Sequence, residues 1–295
     1  MLKDGWFIKN LQKYMDLYKV RDEILEIVRN RQQELQLTFE EETHKYTMVD
    51  TNGVLKDDWY SVSKIIKKYY DEFPAEEIAL KKAKGDIEEK QRLLKEWADA
   101  GTYSTNLGSR THYLLEQKSL EMFDIKKEVR QPIFDCDFEQ ILKSDRMVSA
   151  GSKCLELMKE RGAILLDTEM VLGDNELGYV GQPDQMWLIE NKEKNQIGIF
   201  CGDYKTNKPK NFESNQFTKP MNYPFQELPN NALGHYYLQL PLYLRLLFKM
   251  LKGSKYEKIG LFGAIILLLK EDGTFEEFRI PTKIINQVMN LKINL

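Results

Sequence analysis

The chain has 295 residues, 42% of them hydrophobic and 30% charged, which is enough to bury one large core or two modest ones. Its net charge of −3 excludes a histone-like global field, so a polyanionic partner has to be met by a local basic surface. Three widely spaced cysteines (Cys136, Cys154, Cys201), with no CxxC, argue against a disulfide framework, a zinc knuckle and a four-cysteine iron–sulfur cluster.

The N-terminus lacks a signal-peptide apolar core and no apolar run reaches membrane-spanning length, so a soluble, intracellular protein without membrane contact is expected. Residues 6–36 space their apolar positions (Leu11, Met15, Leu17, Tyr18, Ile24, Leu25, Ile27, Val28, Leu35) as one or two amphipathic helices do. Residues 37–55 alternate and then turn at Asp50-Thr51-Asn52-Gly53, which predicts a β-hairpin. Ser61-Val62-Ser63 can cap a helix carrying Ile65, Ile66 and Tyr69 that ends near Pro74. A highly charged helix over 75–98, interrupted around Gly85, comes next. It is followed by a helix over 104–122 that starts at Ser104 or within 106–109 and carries His112 and Glu116 four residues apart on one face.

Helices cover roughly 137–161, and a strand over 163–172 carries Glu169. Two β-prone runs, 180–189 and 197–204, flank the polar turn at 190–196 and read as a hairpin. An irregular polar segment then leads to a helix over 235–251, where Gln239 and Tyr243 lie one turn apart. A buried strand over 258–269, a partner strand over 274–280 and a closing helix from about Thr282 complete a mixed sheet with helices on its faces.

The hairpin carries the chemistry. Asp184 opens its first strand, and Asp203 and Lys205 stand near the end of the second, on one face because strand side chains alternate. Taken alone, an acid after Pro183 reads as a turn residue, and Asp203-Tyr204-Lys205 as a surface ion pair at a strand end. Two acids nineteen residues apart across a hairpin, with a lysine of fixed parity, are what a hard cation and a phosphodiester require.

Gly181-Gln182-Pro183-Asp184, Asp203-Tyr204-Lys205-Thr206-Asn207 and Gln239-Leu240-Pro241-Leu242-Tyr243 together resemble the PD-(D/E)XK nuclease superfamily. They are similar in particular to its RecB-like branch, with the pattern GxxD, D-[YW]-K-T and a helical QxxxY. That branch also carries an upstream GxxxH followed by a glutamate, which Gly108, His112 and Glu116 fit. The resemblance covers residues from about 104 to 270. The hairpin with His44 and Tyr46 followed by Ser61-Val62-Ser63 is similar to phage-encoded exonucleases and the mitochondrial genome maintenance exonuclease.

The resemblance implies a restriction-endonuclease-like α/β fold: a mixed central sheet flanked by helices, with a mainly helical N-terminal cap over 1–100 before a nuclease core at 101–295. It implies His112, Asp184 and Asp203 as ligands of Mg²⁺ or Mn²⁺, the carbonyl of Tyr204 completing the site, and Lys205 orienting or activating the attacking water. Glu116 either holds the tautomer of His112 or bridges metals, unless it is a solvated helix glutamate. Glu169 either binds a second metal or supports the first. Gln239 and Tyr243 hold Lys205 or a DNA phosphate, the alternative being a polar stripe on a packing helix.

Lys208, Lys210 and Lys219 with Arg110 form a candidate phosphate track, and Ser61, Ser63 and Lys64, with Lys67, Lys68 and the tyrosines among them, form either a second DNA patch or an ordinary amphipathic helix. The expected function is a metal-dependent DNA exonuclease of replication, recombination or repair, with no nucleotide cofactor, in the cytoplasm (the host's, if phage-encoded). The cap is expected to narrow the cleft so that a single strand or an end threads it. A structure-specific or restriction-like endonuclease and a non-catalytic nucleic-acid-binding module are the alternatives. Alanine at Asp203 or Lys205 is expected to abolish cleavage and spare folding.

Overall fold

A computed structural model describes residues 4–129 and 131–293 of the chain, with side chains from residue 17 onward; Leu11 and Met15 of the N-terminal pattern fall outside those side chains. The pattern forms one helix, α1 (Asp4–Glu34), whose Leu17, Ile24 and Val28 are buried along one face. Strands β1 (Thr38–Glu40), β2 (Lys45–Val49) and β3 (Leu55–Lys56) follow as an antiparallel meander, one strand more than the expected hairpin. The added turn carries His44 in the left-handed region (φ 51°). The expected turn is closed by the Asp50 carboxylate, which accepts from the N–H of Asn52 (2.8 Å) and of Val54 (2.9 Å), with Gly53 supplying a positive φ.

After the short strand β4 (Tyr60–Ser61), helix α2 (Val62–Ile66) starts where the Ser61 hydroxyl accepts from the Lys64 N–H. It ends well before Pro74, because a single 3₁₀ turn leads into extended backbone at Tyr70. Helix α3 (Ala75–Lys82) stops at Lys84-Gly85, both at positive φ, as Gly85 led one to expect.

Helix α4 (Ile87–Met122) then runs unbroken through 36 residues, where the sequence pattern predicts a break near 99–103. The hydroxyls of Thr102 and Ser104 bond the Ala98 and Ala100 carbonyls one turn back instead of capping a new helix. Position 100 therefore lies inside a helix. From the first hundred residues, Ile24, Val28, Val62 and Ile65 belong to the main core. Helix α3 and the first half of α4 are largely exposed, joined by Lys82 over the Trp97 ring and by the Lys90–Glu76 ion pair.

Helix α5 (Phe138–Glu160) begins with a reciprocal capping box between Asp137 and Gln140. The predicted strand over 163–172 is two strands, β5 (Ile164–Thr168) and β6 (Leu172–Asp174), in different sheets. The first half of the central hairpin divides in the same way into β7 (Tyr179–Gly181) and β8 (Gln185–Asn191). Pro183 offers no N–H to a ladder, and Glu169 adopts a left-handed conformation (φ 41°), so both strands leave the large sheet at one level. A backbone bond from the Glu169 N–H to the Asp184 carbonyl (3.3 Å) and one from the Gln182 side-chain amide to the Glu169 carbonyl (3.1 Å) span the gap.

The remaining elements are β9 (Gln196–Lys205), α6 (Ala232–Met250), β10 (Gly260–Leu269), β11 (Phe275–Arg279) and α7 (Thr282–Met289). Asn231, whose side chain accepts from the Gly234 N–H (3.0 Å), starts α6 three residues before the expected His235.

The five-stranded sheet has the order β11-β10-β9-β8-β5. Only β9 and β10 are parallel, because α6 carries the chain back between them. Strands β4, β7 and β6 make a second sheet. The α6 face of the large sheet buries Met186, Leu188, Ile199, Cys201, Ile266 and Leu268. The opposite face packs Tyr204, Ile265 and Leu267 against Leu107 and Leu115 of α4 and Met147 and Cys154 of α5. The result is a mixed α/β architecture, and no described helix is long and apolar enough to cross a membrane.

Candidate metal centre

The gap between the two sheets is where the acids collect. Asp184 sits in the gap before β8, not within a strand, and Glu169 occupies the matching bend after β5. His112 comes from α4, which lies close over the end of β9 because Gly108 has no side chain: a Cβ there would stand 3.2 Å from the Thr206 hydroxyl. One donor atom from each of His112, Glu169 and Asp184 lies within 4.8 Å of the others. His112 Nδ1 is 3.2 Å from Asp184 Oδ2, and the same carboxylate oxygen accepts from the Tyr204 N–H at 2.9 Å.

Gly181, three residues before Asp184, admits the Tyr243 ring. A Cβ at 181 would lie 2.6 Å from Tyr243 Cε1 and 2.7 Å from Val62 Cγ2. That glycine lets α6 and α2 close over the strand that delivers Asp184.

Beside this trio stands a buried ion pair. Lys205 Nζ lies 2.5 Å from Asp203 Oδ2, with the Asp203 side chain only 2% exposed, and both point to the α6 face as strand alternation requires. That oxygen accepts no well-aligned hydrogen bond, and the Lys205 ammonium is the charge set against it. The Tyr236 ring covers the ammonium at 4.5 Å, and its hydroxyl donates to Asn207 (2.9 Å).

Charge in the cleft is unbalanced. Burial raises the Asp203 carboxyl to about 7, helped by the Asp184 charge and opposed by Lys205. Burial also pushes the Glu169 carboxyl well above its usual range, and the charges of Asp184 and Glu116 push it further. Asp184 goes the other way: burial is outweighed by His112, Lys205 and the Tyr204 N–H, which hold its carboxyl well below the ordinary range. His112 is the mirror case, since burial disfavours its charged form but Asp184 more than restores it. Among the described residues, five carboxyl groups (Glu116, Asp167, Glu169, Asp184, Asp203) share this cleft, and the ammonium groups that touch them are Lys127 and Lys205.

The structure brings together His112, Glu169 and Asp184, with Glu116 on their flank accepting from the Thr168 hydroxyl at 3.0 Å. Asp203 stands next to this trio with its carboxylate against the Lys205 ammonium, and Glu169 is the second acid that lies with His112 and Asp184. The Tyr204 side chain faces away, hydrogen-bonded to Gln185 (3.0 Å). Gln239 donates to the Tyr243 hydroxyl (2.9 Å), and Tyr236 is the residue whose ring meets Lys205.

Arg110 is tied to α5 through Asp145 (2.8 Å) and the Ile141 carbonyl, which takes it out of the expected phosphate track. Lys208, Lys210 and Lys219 are exposed. The Ser61 hydroxyl is spent on capping α2, while Ser63 and Lys64 are exposed on that helix.

Two residues escaped sequence reasoning. Tyr236 shares a helix face with Gln239 and Tyr243 at spacings of three and four, so helical periodicity could have found it. Lys127 lies in an irregular segment with no pattern to mark it.

An imidazole and two carboxylates within reach of one point, in a cleft with surplus negative charge, suit a hard divalent cation such as Mg²⁺ or Mn²⁺. No protein-family model matches the sequence, and no curated protein matches it.

Proposed function

We propose that the chain is a divalent-metal-dependent deoxyribonuclease of the PD-(D/E)XK superfamily, RecB-like in its motifs, with its mixed α/β core of the restriction-endonuclease-like kind, and that it acts as an exonuclease. The observation that carries this reading is the meeting of His112, Glu169 and Asp184 beside the Lys205–Asp203 pair at one sheet end. When bound there, Mg²⁺ or Mn²⁺ lowers the pKa of its water and polarises the phosphate. The chain's own residues do the rest. His112, Glu169 and Asp184 would hold the ion, His112 binding it as the neutral imidazole. Asp203 holds Lys205 charged and aimed into the cleft, where its ammonium meets the attacking water and the charge growing on phosphate. Lys208, Lys210 and Lys219, exposed and without a carboxylate partner among the described residues, supply backbone phosphate contacts just beyond β9. The exonuclease assignment rests on the exposed helical arm of α3 and early α4 that precedes His112 on its own helix.

The test is digestion of 5′- and 3′-labelled single- and double-stranded DNA, and of a covalently closed circle, with Mg²⁺ or Mn²⁺, using Asp184→Asn as the control. Metal-dependent loss of linear DNA that Asp184→Asn abolishes is the expected result. Wild-type rates from Asp184→Asn would overturn the assignment, and a closed circle cut as fast as linear DNA would make the protein an endonuclease.

A further inference from the structure

We infer that Lys127 is a positioning residue of this metal centre: it clamps the bend that delivers Glu169. The inference rests on the metal-centre reading above. Lys127 belongs to the irregular stretch between α4 and α5, and its ammonium crosses to the end of β5. There it donates to the carbonyl of Thr168 and reaches the carbonyl of Glu169 at 3.4 Å, Asp167 Oδ1 at 3.5 Å and Glu116 Oε1 at 4.0 Å.

The bend it grips is irregular twice over. The register of β5 against β8 shifts between Leu165 and Asp167, and Glu169 then sits at φ 41°, a conformation that a non-glycine residue keeps only where its surroundings impose it. The surroundings that hold the two peptides of this bend are few: the Lys127 ammonium, the Gln182 amide on the Glu169 carbonyl (3.1 Å) and the Glu169 N–H on Asp184. Among the described residues, Lys127 alone contacts both carbonyls of the bend and also reaches the Asp167 and Glu116 carboxylates.

A positioning role and a purely electrostatic one have opposite signs. If Lys127 only neutralised acids, its removal would deepen the negative field and tighten a divalent cation. If it clamps the bend, its removal frees Glu169 to leave the site, and the cation is held less tightly. Partners that orient metal ligands are worth about 10–100-fold in affinity, so Lys127→Met is expected to raise the Mn²⁺ dissociation constant at least about tenfold. Lys127→Arg keeps the charge and the reach to both carbonyls, and is expected to restore most of the affinity. Lys127→Gln keeps an amide donor without the charge and is expected to bind more weakly than wild type too, which covers the case in which the methionine variant does not fold.

The experiment titrates Mn²⁺ into the full chain by electron paramagnetic resonance, reading both free ion and the spectrum of bound ion, with melts in EDTA to establish that each variant is folded. Weaker binding by Lys127→Met, rescue by Lys127→Arg, and no further loss when Lys127→Met is added to Glu169→Gln would support the clamp. Wild-type or tighter binding by Lys127→Met and Lys127→Gln would overturn it while leaving the metal centre standing. A wild-type chain that takes up no Mn²⁺ would overturn both.

Discussion

Replacing Glu169 by glutamine should stabilise the metal-free protein while crippling its response to metal. The donor atoms of Glu169 and Asp184 lie within 4.8 Å. Two unit charges at about that distance repel by roughly 3.5 kcal/mol at an effective dielectric near 20. His112 and Lys127 offset much of this, leaving about 1–2 kcal/mol of net strain for the substitution to relieve, or roughly 2–5 °C in melting temperature for a chain of this size.

The sign depends on pH. The Glu169 carboxyl titrates higher in the folded than in the unfolded chain, so its contribution is intact below the ordinary value of 4.5 and is lost as pH rises toward the raised one. The variant should therefore match wild type near pH 4 and pull ahead of it by pH 8. Saturating Mn²⁺ should reverse the order, since wild type gains about 2.7 kcal/mol at a hundredfold excess over its dissociation constant and the variant much less. Thermal melts followed by circular dichroism, in EDTA and in Mn²⁺ at both pH values, read all of this. A variant less stable than wild type in EDTA at pH 8, or equal Mn²⁺ shifts in the two proteins, would refute the reasoning.

Gly181→Ala forces a methyl against the Tyr243 ring and Val62, at 2.6 and 2.7 Å, and should cost about 1–3 kcal/mol in urea unfolding; an unchanged midpoint would mean that α6 is not seated on β7 as described. Lys205→Ala, expected from sequence to spare folding, leaves Asp203 buried without its counter-charge and should destabilise by about 3–5 kcal/mol, whereas the double change with Asp203→Asn should recover most of that loss. His235, stacked 3.8 Å from Tyr70, is pushed down to about 4 by burial, so the unfolded chain binds its proton first. Stability should thus fall as pH drops from about 6.5 toward 4, by on the order of 1–2 kcal/mol once partial exposure is allowed for. His235→Gln should flatten that slope in pH-dependent melts.

Much of the site was legible because regular structure has fixed periods. Alternation along β9 puts Asp203 and Lys205 on one face, and four-residue spacing on α4 lines up His112 with Glu116. Their partners were less legible. Lys205 meets Tyr236, which helical spacing on α6 marks as well as it marks Gln239 and Tyr243. Arg110 sits in the His112 motif yet turns to Asp145, because α5 packs along that face of α4. The single helix through position 100 defied its own composition: a glycine costs a helix about 1 kcal/mol, which packing elsewhere along it offsets.

From the amino-acid order alone came most of the helices and strands and the faces that carry His112, Glu116, Asp203 and Lys205, since these follow from steric periods that act over a few residues. What decided which side chains meet at the candidate site was tertiary. Glu169 meets His112 and Asp184 where β5 and the chain ahead of β8 leave their sheet together, at a bend whose carbonyls accept from an ammonium forty-two residues upstream. No local pattern encodes such a meeting. It depends on where two separately folded stretches cross, and on which carboxylate a nearby lysine claims first.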